Sequence, residues 1–157
     1  VGEIQQKEVW LNKVQFYNGM LMSTSLVREI GLPNKLLFLR GDEMDYFYKA
    51  KNSGARMGLI TKALFYHPSG ETEFANSRNS ILGVVIPSTP KKKYYQFRNR
   101  GFLIRQYNLY FNAVYDWIRY PFYFLIFPGK KYKEFLEWKK LWMQGFKRKL
   151  YPYQEID

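Results

Sequence analysis

Three carboxylates fall within four positions of an otherwise basic chain, in the phrase Arg40-Gly41-Asp42-Glu43-Met44-Asp45-Tyr46. A carboxylate within hydrogen-bond reach of a hydroxyl can take its proton as that oxygen attacks, which is general-base chemistry on a sugar or a phosphate. The first turn of a helix favours the ionised form through its dipole and its free N–H groups. The same residues also suit a structural task, with Asp42 as a helix cap and Asp45 three residues on completing a cap-like pair. The two roles do not exclude each other. Hydrolysis between two flanking carboxylates fits poorly, because all three acids crowd one short segment. The chain's lone histidine ends the run Ala63-Leu64-Phe65-Tyr66-His67. Its imidazole is either a structural group at a strand end or a ligand for a divalent cation that neutralises a departing diphosphate.

The elements that would position these groups are marked by local signals. Residues 9–16 suit a short strand or an irregular lead-in, and Asn18-Gly19 suits a turn or a close backbone approach. Ser23-Thr24-Ser25 offers a cap for a short helix to Ile30, stopped by Gly31 and Pro33. The apolar run 36–39 has strand length. A helix is expected from Asp42, closed by Asn52-Ser53-Gly54, and residues 56–66 read as one or two strands. Pro87 and Pro90 mark a boundary, which divides the chain into residues 1–90 and 91–157.

Charge divides the chain at the same place. Residues 91–150 carry fifteen Lys or Arg against Asp116, Glu134 and Glu137, whereas the remainder carries ten of each sign. A basic region of this kind favours an anionic partner. Residues 94–120 lack helix breakers apart from Gly101 and predict one long helix, which Pro121 interrupts. The apolar run 122–127 is too short to span a bilayer, which takes about 20 residues. Residues 130–150 predict an amphipathic helix with Phe135, Trp138, Trp142 and Phe146 on one face and lysines on the other. That face suits an anionic membrane surface, or packing on the protein or on a second copy. The absence of cysteine excludes a disulfide framework and a thiolate metal site. Residues 1–3 show no leader pattern, and no P-loop or dinucleotide fingerprint occurs.

The order Asn18-Gly19-Met20-Leu21-Met22-Ser23, Glu29-Ile30-Gly31-Leu32-Pro33, the acid phrase from Phe38 to Tyr46 and finally His67 resembles the C-terminal half of the catalytic domain of family-2 glycosyltransferases. It is most similar to the bacterial galactofuranosyl- and rhamnosyltransferase-like members, over residues 17–70. Tyr94-Tyr95-Gln96-Phe97-Arg98-Asn99 is similar to a phrase often found after that half. The resemblance implies an α/β fold, a partial GT-A-type sheet on the acceptor side, followed by an α-helical, basic and aromatic C-terminal region. It implies an inverting, metal-dependent transferase that moves a sugar from a nucleotide-sugar donor to a cell-surface glycan or lipid-linked acceptor. Glu43 would be the base, with Asp42 in contention, and Asp45, Arg40 and Gly19 would bind the acceptor. The family more often has Asp second and Glu last in this pattern, so Glu43 and Asp45 exchange the usual lengths. His67 would complete a site for Mn or Mg begun by an Asp-x-Asp motif. No such motif precedes residue 17, so those ligands are expected outside this chain, and the fragment alone should be inactive.

The expected location is cytoplasmic, peripheral at the inner face of the cell membrane, with homo-oligomerisation open. A competing view makes Tyr94, Tyr95, Phe97, Arg98 and Arg100 a single-stranded nucleic-acid grip. No RNA-recognition or helix-turn-helix signature accompanies them, so no nucleic-acid partner is expected. A non-catalytic oligomerisation domain is the remaining alternative.

Overall fold

The computed structural model describes residues 9–11, 19–64, 66, 83–84, 86–126 and 131–154. Its elements are β1 (Val9–Leu11), α1 (Thr24–Ile30), α2 (Asp42–Asn52), β2 (Gly58–Ile60), α3 (Pro90–Gln106), α4 (Tyr110–Ile126) and α5 (Tyr132–Phe146), with a 3-10 turn at Lys35–Leu37. They fall into two units, one of residues 1–34 and 42–69 and the other of residues 35–41 and 70–157.

In the first unit, turn chemistry sets the elements. Ser23 caps α1, its side chain accepting from the Leu26 N–H at 3.3 Å. Gly31, at φ +75°, ends that helix with its N–H on the Val27 carbonyl. Gly54, at φ +79°, follows α2 in the same left-handed region. A small core joins α1 to α2: Tyr46 and Ala50 are buried against Met22, Leu26, Ile30, Phe47, Ala55 and Met57. Strands β1 and β2 pair antiparallel, with Val9 opposite Ile60 and Leu11 opposite Gly58. Among the described residues this two-stranded ladder is the whole sheet.

The second unit is helical and aromatic. Thr89 caps α3 with Pro90 in its first turn, the position where a missing N–H costs nothing. Gly101 of α3 and Gly145 of α5 let two backbones meet: a Cβ on either would overlap the other helix's backbone at Trp142 or Arg98. Around that crossing lies a core of Trp138, Trp142, Tyr120, Phe124, Phe97 and Ile104. Trp138 stacks on Tyr120 with centroids 4.9 Å apart, and Trp117 meets Trp138 and Trp142 edge-on. Such geometry adds to the burial of the rings themselves.

Three sequence expectations change, and one open choice is decided. Residues 36–39 form no strand. They make the Lys35–Leu37 turn and then Leu39 takes φ +71°, while backbone carbonyls of this stretch are taken by side chains of α3. Residues 94–120 are two helices rather than one. The chain turns at Asn108, at φ +55°, a conformation Asn tolerates, and the Leu109 N–H bonds back to the Ile104 carbonyl at 2.9 Å. Pro121 does not stop α4, which runs on to Ile126. Its neighbours Tyr120 and Phe124 are buried in the aromatic core, which outweighs the one backbone hydrogen bond that proline removes. Finally, the aromatic face of α5 is packing surface: Trp138 is 0 % exposed, Trp142 is buried, and Phe135 and Phe146 pack against the same cluster.

Candidate functional site

The acid phrase begins where the segment 35–41 is anchored. Leu37 is fully buried with Phe102 and Leu103. Asn99 Nδ2 donates to the Leu37 carbonyl at 3.2 Å and also to the Arg40 carbonyl. Arg98 donates through one terminal nitrogen to the Leu36 carbonyl, through the other to the Tyr151 carbonyl, and through Nε to Asn99 Oδ1 at 2.9 Å. Gly41 follows at φ +87°, and a Cβ there would lie 3.0 Å from Leu103 Cδ1 and 3.4 Å from Asn99 Cβ. Both the left-handed backbone and the close approach require glycine.

Among the described residues Arg98 is buried without a carboxylate partner. It lies against the rings of Tyr94 and Tyr95, at 5.3 and 4.8 Å from their centroids. Burial draws its guanidinium below the ordinary arginine value, with Tyr94 and Tyr95 acting in the opposite direction. The carbonyls it holds are therefore its main compensation. The sequence singled out Tyr94 to Asn99 as a phrase but not this task. The available signal was weak, because Arg98-Asn99 sits on a helix that also carries Lys91, Lys92, Lys93, Arg100 and Arg105. Tyr95, Phe97 and Arg98 are buried, so the nucleic-acid grip proposed for them has no exposed stacking surface.

The three carboxylates share the first turn of α2 but differ in setting. Asp42 is the first helical residue, one past the cap position, and is half-buried. As the first helical residue it does not occupy the cap position expected of it. Glu43 is exposed. Asp45 is 2 % exposed and forms an ion pair with Lys49 at 3.3 Å, one helical turn on. Lys49 Nζ also donates to the Leu32 carbonyl at 3.2 Å, tying α2 to the end of α1. The N-terminus of α2 favours negative charge, and Glu43 is the most exposed of the three.

Gly19 is exposed and takes φ +69°, in keeping with the expected turn. Arg40 is half-buried, its carbonyl on Asn99. His67 lies outside the described residues. Among the described residues no three His, Asp or Glu side chains gather as a metal site. A second polar centre escaped the sequence altogether. Asp116, fully buried, receives Arg100 Nε at 2.8 Å, Arg119 at 2.9 Å and Trp142 Nε1 at 3.4 Å. It ties α3, α4 and α5 together.

Comparison with known proteins places this geometry in context. The chain is 31 % identical over 133 residues to galactofuranosyltransferase GlfT1 of Mycobacterium tuberculosis, which is 85 % of this chain and 43 % of that protein. It is 32 % identical over 110 residues to galactofuranosyltransferase GlfT1 of Mycolicibacterium smegmatis, which is 70 % of this chain and 36 % of that protein. The chain thus spans less than half the length of these relatives. The 133-residue match is long enough that it necessarily takes in α2 and its carboxylates. No protein-family model and no solved structure matches the chain.

Proposed function

We propose that this chain, a relative of bacterial glycosyltransferases, is the acceptor-side part of an inverting transferase that uses a nucleotide-sugar donor. Galactofuranosyl transfer to a cell-surface glycan or lipid-linked acceptor is the proposed reaction, after the names of the relatives. One observation carries this: the Mycobacterium tuberculosis relative matches across the segment in which α2 presents Glu43 to solvent.

In the proposed mechanism, a Glu43 oxygen accepts the proton of the acceptor hydroxyl. The freed oxygen attacks the anomeric carbon, and the bond to the diphosphate breaks on the opposite face, so configuration inverts. Glu43 lies in the first turn of α2, where the helix dipole favours a negative charge. Asp42, half-buried beside it, is the alternative base. Gly19 and Arg40 keep their proposed acceptor-binding roles. Asp45, buried and paired with Lys49, is better suited to fixing the turn that presents Glu43 than to gripping an acceptor.

A GT-A-type sheet, larger than the β1–β2 pair, belongs to this proposal, as does a site for Mn or Mg. The described residues do not by themselves fit such a cation. Its proposed ligands are His67 and an Asp-x-Asp pair in the part of the relatives that this chain does not span. When bound, the cation would neutralise charge on the departing diphosphate. The proposed place of work is the cytoplasmic face of the membrane, where a lipid-linked acceptor would be met.

In a protein of the relatives' full length, Glu43→Gln should lower kcat by about 10²- to 10⁴-fold while nucleotide-sugar binding is kept. Asp42→Asn should have the smaller effect. Full turnover by the Glu43 variant would remove it from the role, and the reverse ranking would give the role to Asp42.

A further inference from the structure

The aromatic face of α5 is spent on the core, whereas α4 leaves a row of apolar side chains in solvent. Phe111, Val114, Tyr115, Ile118, Phe122 and Ile126 recur at helical spacing and form one exposed stripe. Phe111 is 93 % exposed and Ile118 64 %. The only other exposed residue of this helix is Tyr110, so its whole solvent face lacks charge. Its two charged residues are used inside: Asp116 is fully buried, and Arg119 is paired to it. At 17 residues the helix is about 25 Å long, so this is a continuous patch rather than a scatter of single side chains.

We infer that the outer face of α4 is a docking surface for an anionic lipid bilayer, lying flat in the headgroup region. This goes beyond the glycosyl-transfer proposal and does not depend on it. Charge decides the occupant. Cations stand at both ends of the stripe: Arg105 donates to the Tyr110 hydroxyl at 2.7 Å, and Lys131, whose N–H donates to the Phe124 carbonyl at 2.9 Å, has a half-exposed side chain that also pairs with Glu134 at 3.7 Å. Residues 91–150 add a net excess of twelve positive charges. A second copy would bring a like charge against it, which opposes association. Nucleic acid would need cations along the stripe to meet phosphates, and the stripe has none. An apolar face with cations around it matches the boundary between anionic headgroups and acyl chains. No helix among the described residues is long and apolar enough to cross the bilayer, so the contact is with its surface.

The test is co-sedimentation of the 157-residue chain with vesicles of equal parts phosphatidylglycerol and phosphatidylcholine, and with vesicles of phosphatidylcholine alone. Binding to the first and weak binding to the second is expected. Phe111→Ser combined with Ile118→Ser should lower binding about tenfold or more, with an unchanged circular dichroism spectrum. Leu21→Ser, an exposed site in the other unit, should leave it unchanged. Phe111→Trp gives a check independent of any loss of fold: its added fluorescence should be quenched by brominated acyl chains. Absence of binding to anionic vesicles, or full binding by the double variant, would overturn the inference. So would a double variant whose main defect is loss of a dimer or of oligonucleotide binding. Repeating the measurement at the relatives' full length closes one more route: an unaffected double variant there would mean that protein, not lipid, covers the stripe.

Discussion

The two units are stabilised by different means. Among the described residues of the first, the buried apolar side chains are those of Tyr46 and Ala50, and caps and left-handed turns at Ser23, Gly31 and Gly54 carry much of the definition. In the second, tryptophans, tyrosines and phenylalanines from three helices fuse into one core around a glycine crossing. The proposed reactive carboxylates belong to the lighter unit, whose local opening should cost less. The chain passes from one unit to the other between Gly41 and Asp42. The contrast is instructive because it separates rigidity from reactivity: the mass of burial lies in the basic helices, not around Glu43.

The contrast can be broken most directly at Trp138. Trp138→Ala should cost about 4 kcal/mol, because a fully buried ring stacked on Tyr120 is removed from a dense core. Hydrogen exchange should then show protection lost across α3, α4 and α5, with α1 and α2 much less affected. Equal loss in both units would mean that they unfold as one, and the distinction would go. A smaller effect, about 3 kcal/mol, is expected of Asp116→Ala, which strands Arg100 and Arg119 around a site built for a carboxylate. Denaturant titration should show it, and a loss below 1 kcal/mol would mean that water replaces the carboxylate easily. The smallest effect belongs to the first unit: Ser23→Ala should cost about 1 kcal/mol, read as faster exchange in α1 alone.

Much of the first unit was legible because its signals are local. Ser23 and Gly31 mark the ends of α1, and Asn52-Ser53-Gly54 the end of α2, through chemistry that neighbours a few residues away complete. The stretch 36–39 was misread for the opposite reason. Its carbonyl partners are Arg98 and Asn99, some sixty residues on, and an apolar run says nothing of such partners. The amphipathic pattern of α5 was visible, but periodicity cannot say whether lipid or protein meets the face. The exposed stripe of α4 was hidden in a segment that is apolar on most sides, where only the buried Asp116 reveals which side faces inward. Type and spacing placed the three carboxylates together at the start of a helix, as α2 has them. The Lys49 partner of Asp45 could have been found by counting one helical turn forward.

Arg98 and Asn99 have a practical consequence for anyone reading mutational data on this protein. They hold the stretch that delivers the acid phrase by its main-chain oxygens, which no substitution within that stretch can delete. Under the transfer proposed above, an inactive Asn99 variant at the relatives' full length would therefore report a displaced loop at residues 36–40, although its side chain need never meet a sugar. Restoring turnover by a second change at the loop, rather than by supplying an external base, would be the signature of that kind of defect.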